Sequence, residues 1–457
     1  MAEPTAGWGG RRVLVCGVGV AGSAAARALL AAGASVELTA SSESDAVAGL
    51  VTAGARWLGP LIRLPGEVGL VVASPGLRPH DPLLTDAAAR GVPVWGEVEL
   101  AWQLRRPGAA PWLAVTGTNG KTTTVHMLES MLRAAGLRAI AVGNVGEPLV
   151  DAVLADPPYD VLAVELSSQQ LHFAPSVAPA AGALLNLAAD HLDWHDSLDA
   201  YEQAKVGVWA GAVPIGNADD PRVAALMSPG AVGFTLGEPA AGQLGVVDGR
   251  LVSRAFGDDG LALVEVADVR PAGRHNVANA LAAAALARSM GVGPDAVTSG
   301  LREFAPDPHR NQPVLTRGGV SWVDDSKATN PHAASASLAA YPRIVWIAGG
   351  QLKGVAVDEL IVAHADRLTG AVLLGQDRAV VAAALARHAP DVPVIVVDST
   401  EHGAMTEVVR AAAGLARPGD TVLLAPAAAS YDMFSDFGAR GDAFADAARS
   451  LPSDGSA

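Results

Sequence analysis

Four lysines stand against 28 arginines in the 457 residues of the chain, and each lysine falls in a short segment whose residue types could do chemistry. They are Lys121, Lys205, Lys327 and Lys353. Arginine serves wherever a generic surface cation is enough. Lysine offers a compact ammonium for a phosphate and an amine that can lose its proton and react, neither of which a guanidinium copies. The strongest segment is Ala114-Val115-Thr116-Gly117-Thr118-Asn119-Gly120-Lys121-Thr122-Thr123-Thr124. A strand running into a glycine loop and then a helix lets backbone N–H groups cradle phosphates. Lys121 then neutralises β/γ-phosphate oxygens and the Thr122 hydroxyl faces Mg²⁺. The strict phosphate-loop pattern wants a glycine where Val115 stands, so the loop is a variant; a plain Gly/Thr-rich strand–helix turn is the competing reading.

Glu165 ends an apolar strand and opens Glu-Leu-Ser-Ser-Gln-Gln-Leu. A carboxylate at a strand end beside a phosphate loop suits Mg²⁺, which takes one or two carboxylates plus substrate phosphates; the alternative is a salt-bridged or capping glutamate. His191, in Asp190-His191-Leu192-Asp193-Trp194-His195, is either a second-metal ligand or a hydrogen-bonded structural residue. Lys205 sits on an Ala-rich stretch with little basic company. A lysine of lowered pKa can react with CO₂ to a carbamate, turning a cation into a metal-binding anion. Gly17-Val18-Gly19-Val20-Ala21-Gly22 also follows a strand, with Glu37 where a ribose-binding acid belongs in a dinucleotide site. The same turn binds other pyrophosphates or serves tight packing alone. Asn276 and Asn279 share one helix face, toward a nucleotide or a polar domain interface. Further on come Pro308-His309-Arg310, Asp324-Asp325-Ser326-Lys327-Ala328-Thr329-Asn330, Gly349-Gly350-Gln351-Leu352-Lys353 and Ala429-Ser430-Tyr431-Asp432-Met433-Phe434-Ser435-Asp436-Phe437. Two lysines, a threonine and a serine together could hold a small dicarboxylate, and Arg310 on a hinge could reach a transferring phosphoryl group.

These segments need strands to carry them. Apolar runs at Arg12–Cys16, Ser35–Leu38, Gly69–Ala73 and Val92–Trp95 alternate with Ala-rich helical stretches and predict a Rossmann-like parallel sheet over residues 1–107. Pro107–Pro111 reads as a linker. Trp112–Val115, Val161–Glu165 and Gly182–Leu187 predict a central P-loop-type unit over 108–307, ending near Pro306-Asp307-Pro308. Ile344–Ala348, Ala371–Leu374, Val394–Val397 and Thr421–Leu424 predict a doubly wound Rossmann-like unit over 308–457. The fold class is therefore α/β with three domains, and the polar motifs fall at the carboxyl ends of strands, where open α/β sheets bind ligands. A net charge of −15 without a basic run argues against nucleic acid. The longest uncharged stretch, Phe173–Ala189, is broken by Pro175 and Pro179, so no membrane insertion is expected. The first residues carry no basic-then-apolar pattern, and the single cysteine, Cys16, excludes an intramolecular disulfide and a cysteine-built metal site; the expectation is a cytoplasmic protein. Residues 452–457 read as a disordered tail.

Taken together and in order, the segments resemble the ATP-dependent Mur ligases, most closely the branch that adds D-glutamate to UDP-N-acetylmuramoyl-L-alanine in peptidoglycan precursor synthesis. Gly-Thr-Asn-Gly-Lys-Thr-Thr, Gly143-Asn144-Val145-Gly146, Glu-Leu-Ser-Ser, Asp-His-Leu-Asp, Gly-Arg-His-Asn-Val-Ala-Asn-Ala, Pro-His-Arg, Asp-Asp-Ser-Lys-Ala-Thr-Asn and Ala-Ser-Tyr-Asp-Met-Phe carry the likeness. Asp-Ser-Lys-Ala-Thr-Asn discriminates best. The resemblance implies that the first domain binds the UDP end, the central one ATP and the last one D-glutamate, with an acyl phosphate as intermediate and the enzyme a monomer. It implies catalytic roles for Lys121, Glu165, His191, Lys205 and Arg310. ATP would lie against Gly117, Thr118, Asn119, Gly120, Lys121, Thr122, Thr123, Asn276, Asn279, Arg310 and Asp325. Two Mg²⁺ ions are implied, one on Thr122 and Glu165 and one on His191 and carbamylated Lys205. Gly17, Gly19, Gly22, Ser74, Asn144, Ser167 and His191 would meet the UDP-sugar substrate, and Lys327, Thr329, Lys353, Ser430 and Phe437 the D-glutamate.

Three positions depart from the family pattern. Thr39-Ala40-Ser41 replaces an Asp- and Arg-bearing segment that contacts uracil, Gln169 stands at a usually aromatic position, and Ala428 where Cys is common. Competing readings are another amide ligase of the superfamily, such as a folylpolyglutamate-synthase-like enzyme, a nicotinamide-dependent dehydrogenase resting on Gly17–Gly22, and a non-catalytic nucleotide-binding regulator. The second of these leaves the phosphate loop unexplained, and the third gives Lys205 and Glu165 no role.

Overall fold

A computed structural model describes residues 7–305, 308–399 and 403–451. Pro306 and Asp307, where the central unit was expected to end, and the expected tail at 452–457 lie outside the described residues, as do the first six. Two compact units form. One runs from the N-terminus to Val269 and adds Val277–Phe304; the other combines Arg270–Asn276 with the chain from Ala305 onward.

The first unit holds two sheets. Strands β1 (Arg12–Cys16), β2 (Ser35–Thr39), β3 (Arg56–Trp57), β4 (Leu70–Ala73) and β5 (Val94–Trp95) pair in the order β3-β2-β1-β4-β5, all parallel. Parallel strands covered on both faces read as continuous apolar runs, which is how β1 and β4 read. A Cβ on Gly22 would stand 1.9 Å from the Gly17 carbonyl oxygen, so the helix Val20–Ala31 can dock on β1 only with glycine there.

The second sheet has nine strands: β6 (Trp112–Thr116), β7 (Ala139–Gly143), β8 (Val161–Glu165), β9 (Ala181–Leu184), β10 (Val213–Asn217), β11 (Val232–Phe234), β12 (Gln243–Val247), β13 (Arg250–Ser253) and β14 (Leu261–Glu265). Their order is β14-β13-β12-β11-β10-β9-β6-β8-β7. The strands read from sequence, β6, β8 and β9, are the parallel centre, while β12, β13 and β14 form an antiparallel edge that the βα alternation does not announce. Antiparallel strands need only a tight turn and leave no helical crossover to recognise. The strand expected over Gly182–Leu187 stops at Leu184, because Asn186 turns its side chain into the phosphate loop. The two sheets share one core, in which Val15 and Leu70 belong with Leu100, Val150, Val164 and Tyr201. On the other face, the helix Arg274–Ser289 buries Ala280 through Ala287 completely. A helix apolar on all sides belongs inside a core.

The second unit carries β15 (Gln312–Arg317), β16 (Val320–Asp324), β17 (Ile344–Gly349), β18 (Leu368–Leu374), β19 (Val394–Val396) and β20 (Thr421–Leu424) in the order β15-β16-β20-β17-β18-β19. It is parallel apart from the antiparallel edge strand β15. Among the described residues no helix is long and apolar enough to cross a membrane.

The helix Lys121–Ala134, which begins with the first lysine, is clamped from behind by the helix Pro294–Glu303. A Cβ on Gly300 would lie 2.4 Å from the Met131 Cα, and the Ser130 hydroxyl donates to the Gly300 carbonyl at 2.8 Å. Overpacking at a backbone-to-backbone contact costs about 1–3 kcal/mol. Gly300→Ala is expected to lower unfolding stability by that amount in urea titration, with an unchanged slope; a stability within 0.5 kcal/mol, about the scatter of neutral surface changes, would show that the helices part freely.

Candidate active site

The loop after β6 is organised around one carbonyl. The Gly117 oxygen accepts from Lys121 Nζ at 2.9 Å and from Lys205 Nζ at 2.8 Å. Lys121 Nζ also donates to the Thr118 carbonyl at 2.9 Å. The two ammonium groups are thus no more than about 6 Å apart, where like charges in a low-dielectric site repel strongly. Gly120, the helix N-cap at φ +85°, stands where a Cβ would come within 2.3 Å of Asn279 Oδ1, so glycine answers both the left-handed backbone and the asparagine against it. Thr123 is buried on the same helix, and Thr122 is half-buried in its first turn.

Asn186 fixes the loop from the end of β9. Its Oδ1 accepts from the Asn119 N–H at 2.8 Å and its Nδ2 donates to the Asn119 carbonyl at 3.0 Å, while the Asn186 carbonyl accepts from the Thr118 N–H. Tyr201 holds the preceding residue, its hydroxyl 2.9 Å from Thr118 Oγ1, which in turn accepts from the Ala188 N–H. Burial pushes the Tyr201 phenol up, so it stays protonated. Sequence reading passed over both residues. The signal for Asn186 was a polar residue directly after an apolar strand; Tyr201 had none beyond lying four residues before Lys205 on the helix Leu198–Val206.

Lys205 is 2 % exposed. Burial first, and the Lys121 charge second, push its pKa well below the usual lysine range, while Asp190 and Glu165 pull the other way. Its Nζ lies 4.8 Å from the Tyr201 ring centroid. His195 packs edge-on to Tyr201 and Trp194 and shares a 2.9 Å hydrogen bond with Ser168 Oγ. Desolvation brings His195 down to about 4, so it is neutral and can fix the helix Ser168–His172. Ser167 caps that helix in a reciprocal capping box with Gln170.

Glu165 closes β8 beside the loop, completely buried. Oε1 accepts from Asn144 Nδ2 at 2.8 Å, and Oε2 is buried without a hydrogen-bond partner. A buried carboxylate oxygen without a partner beside a phosphate loop is chemically suited to a divalent cation. Among the described residues no three His, Cys, Asp or Glu side chains gather as a metal cage. The donor set, one carboxylate plus the Thr122 hydroxyl, fits an ion whose remaining ligands are substrate oxygens and water. His191 stands half-exposed at the start of the helix Leu192–His195, with φ 51° and Nε2 3.7 Å from Asp190 Oδ2.

Around the first glycine turn, Gly17, at φ +86°, has its N–H on the Thr39 carbonyl and its Cα against Ser74. Gly19 caps the following helix. Glu37 does not serve a ribose here. It is buried, with Oε1 on Arg12 at 2.9 Å and on Arg56 at 3.5 Å and Oε2 enclosed without a hydrogen-bond partner, so the carboxylate on which a dinucleotide site would depend faces the arginines and the interior.

The second unit gathers its own group at the carboxyl ends of the neighbouring strands β16, β20 and β17. Lys327 Nζ stands 3.9 Å over the Phe437 ring. Gln351 and Ala429 exchange backbone hydrogen bonds at 2.9 and 3.0 Å, drawing the Lys353 loop to the segment that carries buried Ser430. Lys353 is exposed at φ 53°, and Thr329 is half-buried. Asp325 accepts from the Asn311 N–H and the Ser337 hydroxyl; desolvation raises it to about 6 against the pull of those bonds and of Arg310. Beneath lies Arg440, 1 % exposed, donating to Ser326 Oγ, the Ser326 carbonyl and the Ala428 carbonyl at 2.8–3.0 Å. Arg440 and the His309–Asp324 pair at 2.7 Å were not singled out from sequence for these structural roles. Asn276 and Asn279 are both buried, Asn279 in the first unit and Asn276 at the start of the same helix.

Residues 115–287 match the Mur ligase middle domain, and residues 309–428 match the Mur ligase glutamate ligase domain. A Streptomyces avermitilis protein described as UDP-N-acetylmuramoylalanine--D-glutamate ligase is 54% identical over 463 residues, covering 97% of this chain and 99% of its own length. A Thermobifida fusca protein of the same description is 56% identical over 460 residues, with the same coverage. The solved UDP-N-acetylmuramate-alanine ligase of Thermotoga maritima shares the fold, with a TM-score of 0.58 at 19% identity over 96% of this chain and 99% of that one. With such identity sustained from end to end and two consecutive domains matched in order, the chain belongs to the Mur ligase family.

Proposed function

We propose that the chain is an ATP-dependent ligase that joins D-glutamate to the alanyl carboxylate of UDP-N-acetylmuramoyl-L-alanine, a step of peptidoglycan precursor synthesis. The relatives named for that reaction support it over the whole chain. The observation that supports the site is the geometry of the Gly117 carbonyl, which accepts from Lys121 Nζ in the glycine loop and from the buried Lys205 Nζ, so that a phosphate-neutralising cation and an amine of lowered pKa meet at one loop.

In this reading the alanyl carboxylate attacks the γ-phosphorus and ADP leaves, giving an acyl phosphate. The amine of D-glutamate then adds to the acyl carbon, and the tetrahedral intermediate expels phosphate as the amide forms. The chain's part is positioning and charge stabilisation. Lys121 and the loop N–H groups hold the phosphates, with Gly117, Thr118, Asn119, Gly120 and Thr123 shaping the cradle and Asn276, Asn279, Arg310 and Asp325 on the nucleotide. Gly17, Gly19, Gly22, Ser74, Asn144, Ser167 and His191 serve the UDP-sugar. Lys327, Thr329, Lys353, Ser430 and Phe437 serve D-glutamate, each lysine as a point charge for one carboxylate. Mg²⁺, when bound, neutralises the crowded phosphoryl oxygens. Thr122 and Glu165 would hold one ion, and His191 with carbamylated Lys205 a second. A buried amine kept neutral is the form that adds to CO₂. The protein would work as a cytoplasmic monomer, divided functionally at 107/108 and 307/308.

ADP release should require the UDP-sugar and prefer D-glutamate over L-glutamate and L-lysine; turnover without the sugar, or with L-lysine preferred, would overturn the reading. Lys205→Arg should lower kcat about 100-fold or more, and ¹³CO₂ should give a carbamate NMR signal in the parent protein that this variant lacks. Lys205→Ala should recover part of its activity with added formate. An active Lys205→Arg enzyme refutes the carbamate. Lys327→Ala and Lys353→Ala should each raise KM for D-glutamate by about 10–100-fold while leaving KM for ATP within about twofold, the loss expected for one charged hydrogen bond. Equal effects on both constants would place these lysines elsewhere.

A further inference from the structure

Glu97 opens the helix Glu97–Leu104, yet it is only 5 % exposed. Its Oε1 accepts from the Val150 N–H at 2.7 Å, and the Leu149 N–H also lowers the pKa of the carboxylate. These are the first two N–H groups of the helix Leu149–Val153, whose N-cap is Pro148, a residue with no side-chain acceptor. The first N–H groups of a helix lack partners within it, and a carboxylate brought from 53 residues away supplies what a capping side chain ordinarily gives.

The segment leading into this helix is the loop 144–148, pinned at its other end, where β7 stops, to β8. Gly143 pairs with Glu165, the Asn144 N–H donates to the Glu165 carbonyl at 2.9 Å, and Asn144 Nδ2 donates to Glu165 Oε1 at 2.8 Å. Of the Glu165 oxygens only Oε2 is left without a partner. Which oxygen faces a cation is therefore decided by Asn144. The seat of Asn144 is in turn fixed by the two ends of its loop.

We infer that Glu97 is a positioning residue for the ligase reaction: by capping the helix behind the loop it holds Asn144 against Glu165 and leaves one defined carboxylate oxygen for the cation. This rests on the reading of Glu165 as the Mg²⁺-facing carboxylate. Burial raises Glu97 to about 7 although both N–H donors pull it down, so a neutral amide of the same shape suits the site. Support through a second layer of contacts is worth about 10–100-fold in metal-dependent activity.

The test compares Glu97→Gln, which keeps the acceptor, with Glu97→Met and Glu97→Leu, which keep the volume and lack it, in the full chain well below its melting temperature. The apolar variants should lower kcat about tenfold and weaken Mg²⁺ binding, measured by titration calorimetry on the ATP-loaded protein, at least about fivefold, with KM for D-glutamate unchanged, while Glu97→Gln stays within about twofold of the parent in both. In an Asn144→Ala background the apolar substitution should add less than about a twofold further effect, since coupled residues are non-additive. Folded apolar variants with parental Mg²⁺ dependence, or effects that multiply with Asn144→Ala, overturn the proposal. If neither apolar variant folds, loss of the parental Mg²⁺ dependence in Glu97→Gln overturns it. Unchanged Mg²⁺ dependence in Glu165→Gln would instead refute the metal reading itself.

Discussion

Two lysine ammonium groups on the carbonyl oxygen of Gly117 are the constraint on which the site depends. Neither is there by accident of surface charge, since one is buried and the other is drawn back into its own loop. Each N–H···O bond offsets part of the desolvation of its ammonium, and Asp190 and Glu165 offset part of the repulsion, but burial and Lys121 outweigh them, so Lys205 is biased toward losing its charge. The lowered pKa of Lys205 records that conflict, with burial as the larger cause and Lys121 the next. A site strained in this direction favours polyphosphate and favours a neutral, reactive amine. Both are what a phosphoryl-transfer enzyme needs at this point.

Holding two like charges together requires a rigid frame, and the frame is made of hydrogen bonds between segments far apart in sequence. Asn186 reaches across to Asn119, Tyr201 to Thr118, Asn144 to Glu165 and Glu97 to Val150. A buried polar network is rigid when every member is satisfied and costly when one is not. One atom of this frame, Glu165 Oε2, is buried without a hydrogen-bond partner. In the second unit the same logic runs through Arg440, whose guanidinium ties Ser326 to Ala428 and so locks the loop of Lys327 to the segment leading to Ser430. A planar fork of donors suits that structural task, which is why arginine stands there and lysine does not.

Candidate residues that stand in short runs were legible in the sequence; residues that act through distant partners were not. The variant phosphate loop, Glu165 and the lysine segments announce themselves by type and local order, and the central parallel strands by continuous apolar runs. Glu37 sat at the right spacing for a ribose acid, and only the pairing of β2 with β1 and β3 shows that Arg12, with Arg56 farther off, engages it. Asn186 and Tyr201 lie 67 and 83 residues from the atoms they hold, so no window of sequence contains both partners. The antiparallel edge of the nine-stranded sheet escaped for a related reason, because the βα alternation that identifies parallel strands is absent from a meander.

The scarcity of lysine follows from these environments. Lys205 must fit among Tyr201, Thr116 and the Gly117 carbonyl with almost no exposure, and a guanidinium would bring five donors to a place with two acceptors and could not shed its charge. Lys121 bends back onto two carbonyls of its own loop, a compact reach for a single point charge. Lys327 sets its ammonium on the face of the Phe437 ring, a contact a compact cation makes at close range. The chain uses arginine where a cation must be spread over fixed acceptors, as at Arg440, and lysine where a cation must be small or able to become neutral.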